Sequence, residues 1–167
     1  MALRLILVRH AKSSWDNPTV DDHDRSLNGR GREAAPRMGA WMAERGHVPD
    51  CAAVSTARRA VETWEGLCSA WPTVPQTAFK SSLYHAGPDR MLSVLRLARG
   101  TRLLMVGHNP GIGAFATQIL RHRPTHEAFT RFPTTAVLVA DFDIDSWEDA
   151  AFAGAETVDF AVPRDLP

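Results

Sequence analysis

The chain has 167 residues, 44% of them hydrophobic and 23% charged, with 19 basic residues balanced by 19 acidic ones. That length and mix predict one soluble globular domain over residues 1–167, large enough to bury a core without staples. A net charge of zero provides no overall cationic field for nucleic acid or anionic lipid, and no apolar run reaches the roughly 18 residues of a membrane span.

The two cysteines, Cys51 and Cys68, form neither a CxxC pair nor a zinc spacing. They read as small buried hydrophobes in a reducing, cytoplasmic setting. The start of the chain is apolar but short. Arg4 interrupts it and Arg9, His10 and Lys12 follow, which is unlike a signal peptide.

In chain order, Leu3 to Val8 is a nearly continuous apolar run, as expected of a strand buried on both faces. Arg9 to Asp24 reads as a loop. Asn28 is placed to cap a helix running to Arg45, on which Ala34, Ala35, Met38, Trp41 and Met42 recur at helical spacing before Gly46. Cys51 to Val54 is a second short strand, followed by a helix from Arg59 to Ala70. Ala78 and Phe79 mark a weak strand. Pro88 suits the first turn of a helix to Arg99, with Leu92, Leu95 and Leu97 directed inward. Arg102 to Gly107 is the third strong strand, Pro110 to Leu120 a helix, and Thr135 to Phe142 a strand. One more strand is expected between Ala150 and Val162, and Pro163 to Pro167 reads as a frayed tail. Strands alternating with helices predict an α/β fold: a three-layer α/β/α sandwich around a mostly parallel central sheet. Ligands in such folds bind beyond the carboxyl ends of the strands.

Each strong strand ends on polar residues. The first ends on Arg9 and His10. The second ends on Ser55, with Arg58 and Arg59 opening the next helix. The third ends on Gly107, His108 and Asn109. If these strands are parallel neighbours, two histidines and at least two arginines meet on one rim. Arginine forks match phosphate oxygens and imidazoles attack phosphorus or donate to it, so the convergence points to phosphoryl transfer.

These residues also carry a resemblance. Leu7-Val8-Arg9-His10-Ala11-Lys12 resembles the Arg-His-Gly signature of the histidine phosphatase superfamily, also called phosphoglycerate mutase-like. Ser55-Thr56-Ala57-Arg58-Arg59-Ala60-Val61-Glu62-Thr63 is similar to its Ser-Pro-x-x-Arg-Ala-x-Gln-Thr block, which selects Arg59 as the phosphate arginine and leaves Arg58 as a solvated helix residue. Val106-Gly107-His108-Asn109-Pro110 resembles its third block. Asp24-Arg25-Ser26-Leu27-Asn28-Gly29-Arg30-Gly31 is similar to its Arg-Pro-Leu-Thr segment. Within the superfamily, Leu83-Tyr84-His85-Ala86, Gly107-His108-Asn109-Pro110-Gly111 and Phe132-Pro133-Thr134 resemble the SixA-type protein-histidine phosphatases, which lack the helical insertion of the mutases. There are two departures. Ala11 replaces the usual glycine, which would be costly at positive φ. The glutamate acid of larger members has no counterpart, since Tyr84 and His85 occupy its neighbourhood and no carboxylate follows until Asp89.

The resemblance implies a phosphatase that needs no metal or cofactor and works through a phosphohistidine on His10. Arg9, Arg59 and a donating His108 would hold the phosphoryl oxygens. Ser13, Asp16, His85 and Asn109 are secondary candidates for substrate binding, with Asp16 or His85 as candidate proton donors. Phosphohistidine in a signalling protein is the expected substrate, because its imidazole leaves without a strong acid. Two alternatives remain: a small-molecule phosphomonoesterase using the same step, and an inactive phosphate- or phosphopeptide-binding module. A monomer or weak dimer, without nucleic-acid or membrane partners, is expected. His122 and His126 are four apart, but Pro124 between them argues against a zinc pair. Trp15, alone among the tryptophans, falls in a loop where it would wall the pocket.

Overall fold

Leu5, Ile6, Leu7 and Val8 are all fully buried, because the strand they form lies between two other strands and is covered on both faces. The computed structural model describes residues 2–167. Its strands are β1 (Ala2–Arg9), β2 (Cys51–Ser55), β3 (Gln76–Lys80), β4 (Arg102–Gly107), β5 (Val137–Asp143) and β6 (Ala155–Ala161), in the sheet order β3-β2-β4-β1-β5-β6. The pairings among β1, β2, β3 and β4 are parallel. β5 runs opposite to the other five strands, pairing antiparallel with both β1 and β6.

Strand alternation divides the core in two. Leu5, Leu7, Leu103 and Met105 pack toward one face, under Met91, Leu92 and Leu95 of α3 (Pro88–Arg96) and Ile112, Phe115 and Ile119 of α4 (Gly111–Ile119). Ile6, Val8, Leu104 and Val106 pack toward the other, under Met38 and Met42 of α1 (Gly29–Glu44) and Ala60, Trp64 and Leu67 of α2 (Arg58–Cys68). This is the expected three-layer α/β/α sandwich. No helix among the described residues is long and apolar enough to cross a membrane.

Local chemistry sets the helix ends. The Asn28 side chain accepts the Gly31 N–H at 3.0 Å and caps α1. After α1 the chain turns through Gly46 at φ +73°, where a side chain would be strained. Gly111 opens α4 so close to its neighbour that a Cβ there would lie 1.7 Å from the Ala86 carbonyl oxygen. Its bareness lets the segment carrying His85 pack against the segment carrying His108.

Two expectations are corrected. α3 stops at Arg96, and Leu97 is 76% exposed. Two residues on from the buried Leu95, Leu97 lies about 200° around the helix and so cannot share its inward face. The C-terminal segment is not frayed. Pro163–Asp165 forms a 3-10 turn in which Asp165 accepts from the Val162 N–H at 3.0 Å and pairs with His126 at 2.7 Å, while Arg37 reaches the Pro167 carbonyl.

Candidate active site

Because β2, β4 and β1 are parallel neighbours, their carboxyl ends share one edge of the sheet. Val54 is paired with Val106 and Arg9 with Gly107, so Ser55, His108 and His10 emerge side by side. The His10 N–H donates to the Gly107 carbonyl at 3.1 Å, and the two imidazole centroids lie 5.2 Å apart. The first turn of α2, following directly on β2, presents Arg59, 4% exposed. His10, His108 and Arg59 line a cleft of about 330 Å³, together with Arg9, Lys12, Ser13, Trp15, Asp22, Arg25, His85, Asn109 and Thr134, while Ser55 lies buried behind His108.

His10 is nearly buried, and its Nδ1 lies 2.7 Å from the Ala11 carbonyl oxygen. A carbonyl only accepts, so Nδ1 carries the proton and Nε2 keeps its lone pair. Burial pushes the ring pKa down to about 4; the Ala11 bond opposes this, and the charges of Arg59, Arg9 and Arg25 reinforce it. Ala11 fills the glycine position without a positive φ. Its N–H donates to Thr63 Oγ1 at 2.8 Å, and that hydroxyl donates to the Arg59 carbonyl.

His108 is pushed down to about 3, first by burial and then by His10, Arg59 and His85, with Asp22 opposing. It is therefore neutral at physiological pH, which narrows the expectation of a protonated or donating ring to a donating one. Its Nε2 lies 2.7 Å from Ser55 Oγ, which also accepts the Ala57 N–H at 3.3 Å. That balance directs the Ser55 hydroxyl proton to Nε2 and assigns the ring proton to Nδ1. Nδ1 is buried with no partner, as are Nε of Arg9 and Nε of Arg59. Three of the four such side-chain atoms among the described residues thus belong to residues that line this cleft, and with the His108 ring proton on Nδ1 all three are donors.

Arg59 donates to the Asp22 carbonyl at 2.6 Å and to its carboxylate at 3.0 Å. The same carboxylate accepts from the Tyr84 hydroxyl and from Arg25. The Tyr84 hydrogen bond, then Arg59 and Arg25, hold Asp22 well below the usual carboxylate range against the opposing cost of burial. Arg25 also donates to Ser13 Oγ at 2.8 Å and stacks 3.6 Å over the Trp15 ring, which is otherwise 74% exposed at the mouth of the cleft. On the far wall, Arg9 donates to the Phe132 carbonyl at 3.2 Å. Phe132 and Thr135 both take positive φ, and this bend brings Thr134 to the cleft.

Of the eight residues expected at the site, Arg9, His10, Ser13, Arg59, His85, His108 and Asn109 line the cleft. Asp16 does not. It is exposed, and its N–H is turned to Ser14 Oγ at 3.2 Å. His85 stands at φ +59° with its ring stacked 3.9 Å from that of Tyr84. The Asn109 side chain is committed to backbone: Nδ2 donates to the Arg131 and Phe132 carbonyls, and Oδ1 accepts from Gly113. Sequence reasoning missed Asp22, Arg25, Ser55 and Tyr84 as site residues. Three of these sat inside motifs already singled out; Asp22 had no motif to mark it.

The depressed histidines make folding sensitive to acid. An unfolded histidine binds its proton near pH 6.5, whereas His10 and His108 in the fold do so only near pH 4 and about 3. Their contribution to stability is complete above pH 6.5 and is lost as the pH falls from there toward the folded values. At about 1.4 kcal/mol per pH unit, His10 alone accounts for a loss on the order of 3 kcal/mol by pH 4. Denaturant unfolding at pH 7.5, 6 and 5 should show this decline, with a flatter profile in a His10→Ala/His108→Ala variant.

Comparison with known proteins agrees with this geometry. Residues 5–80 match the model of the histidine phosphatase superfamily (branch 1). An uncharacterized protein of Mycobacterium leprae is 34% identical over 168 residues, spanning 94% of this chain and 100% of the relative. A candidate phosphohistidine phosphatase SixA from Nakamurella multipartitia superposes with a TM-score of 0.80 at 29% identity, covering 98% of this chain and 97% of that one. Another from Agrobacterium tumefaciens gives 0.80 at 26% identity, covering 96% and 98%. With its fold, its cleft and these relatives in agreement, the chain belongs to the histidine phosphatase superfamily.

Proposed function

We propose that this phosphatase removes the phosphoryl group from phosphohistidine in a protein, through a covalent phosphohistidine on His10. The observation that carries the substrate preference is the state of Asp22. Among the described residues it is the only carboxylate lining the cleft, and Tyr84, Arg59 and Arg25 keep it ionised. It therefore has no proton to give to a leaving alkoxide.

In the first step His10 Nε2 attacks phosphorus in line, and the bond from phosphorus to the leaving group breaks. A substrate imidazole protonated on its distal nitrogen takes that electron pair and departs neutral, so no proton is needed from the enzyme. Arg9, Arg59 and the Nδ1–H of His108 hold the non-bridging oxygens and stabilise the charge that develops on them. Ser55 acts through His108 by fixing its tautomer. In the second step water attacks the same phosphorus, the pair returns to His10 Nε2, and inorganic phosphate leaves with the proton lost to solvent.

Alkyl phosphate esters lack such a leaving group, and general acid help is typically worth about 10²–10⁴ in rate. A phosphohistidine protein should therefore exceed sugar phosphates by at least about a hundredfold in kcat/KM. Competing turnover of the two, with aryl phosphate as a reference and EDTA present, tests this. Equal or better turnover of sugar phosphates favours the phosphomonoesterase alternative and gives the proton-donor role to another group, with His85 the candidate that lines the cleft. Binding without turnover of any substrate favours the inactive module.

A further inference from the structure

A second groove, of about 470 Å³, runs from the phosphate cleft and shares Arg9 and Thr134 with it. Its walls carry Arg131 and Arg164, its lining includes Pro133 and Val162, and no acidic residue lines it. The Arg131 side chain is exposed and makes no hydrogen bond or ion pair among the described residues. Arg164 pairs with Glu127, but both side chains are more than half exposed, so the pair can exchange at little cost. The groove is tied to the site: Arg9 and Asn109 donate to the carbonyls of Arg131 and Phe132, which fixes the wall relative to the strand ends that carry His10 and His108.

The opposite flank differs. The groove beyond Arg25 is lined by Asp21 and Asp24 as well as Arg25 and Arg58, so its charges offset one another. Only the Arg131 side has a uniform sign.

We infer that the Arg131–Arg164 groove docks an acidic segment of the substrate protein lying to one side of its phosphohistidine, with the arginines taking carboxylates and Pro133 and Val162 taking the aliphatic parts of the chain. This rests on the phosphohistidine reading above. Because the contacts are exposed ion pairs outside the reacting centre, they act on KM and weaken as salt rises.

The test uses two synthetic phosphohistidine peptides, identical except that one carries acidic residues and the other lysines on both flanks, with an aryl phosphate as reference. The acidic peptide should be preferred by about tenfold in kcat/KM at low salt, mostly through KM. In Arg131→Glu/Arg164→Glu, the ratio of acidic-peptide to aryl phosphate kcat/KM should fall by about the same factor, and the preference should vanish or reverse. Equal turnover of the two peptides by the wild type, or a preference that survives in the double variant, overturns the groove and leaves the phosphohistidine reading standing. Hydrolysis of aryl phosphate with neither peptide turned over overturns that reading and the groove with it.

Discussion

His10→Ala will lower turnover of every phosphoryl substrate by about 10⁴-fold or more, because it deletes the atom that forms the covalent bond. The expectation follows from three features of the ring. Its Nδ1 is spent on the Ala11 carbonyl, its Nε2 is left unprotonated, and burial among three arginines keeps it neutral down to about pH 4. No neighbour can take over. His108 is the one other imidazole buried in the cleft, and Ser55 occupies its Nε2 while the proton sits on Nδ1. The variant should fold, since removing a buried group that is costly to charge relieves an acid-sensitive site. Steady-state turnover of aryl phosphate, with a circular dichroism check of folding, measures the effect. Activity within tenfold of wild type would exclude His10 as the nucleophile.

Arg59→Ala comes next, with an expected loss of about 10²–10³ in kcat/KM, the usual scale for removing a positioned donor in a charge-stabilising site. Arg59 lines the cleft, is 4% exposed and is anchored through the Asp22 carbonyl and carboxylate, with its Nε buried and unpartnered. The guanidinium thus serves the loop and the phosphoryl oxygens at once. Arg59→Lys should recover little, because an ammonium cannot reproduce the planar fork. In Arg59→Ala the Asp22 carboxyl also loses one of its cations, so its pKa should rise toward the ordinary range while Tyr84 and Arg25 still hold it in part. Inhibition by inorganic phosphate should weaken in parallel. Unchanged phosphate affinity would show that Arg59 belongs to the loop alone.

The legible parts of this protein are those governed by short-range pattern. Leu3 to Val8 announces a doubly covered strand, Asn28 a helix cap, and Arg9, His10 and His108 fall at strand ends where a parallel sheet must expose them. What stayed hidden depends on contacts distant in sequence. Asp22 meets Arg59 across 37 positions and Tyr84 across 62, from a loop with no periodicity to place it. The C-terminal turn reads as loose because Asp165 finds His126 only once the sheet has formed. Asp16 and Asp22 occupy the same polar loop, and nothing in their spacing tells which one faces the cleft.

The most direct measurement is rapid quench of a single turnover, followed by mass spectrometry of the digested protein under alkaline conditions that preserve P–N bonds. A transient, acid-labile phosphoryl group should appear on the peptide containing His10, formed and lost at rates that match turnover. Full turnover with no phosphoryl group on His10, or with the label on another residue, would contradict a covalent step on His10.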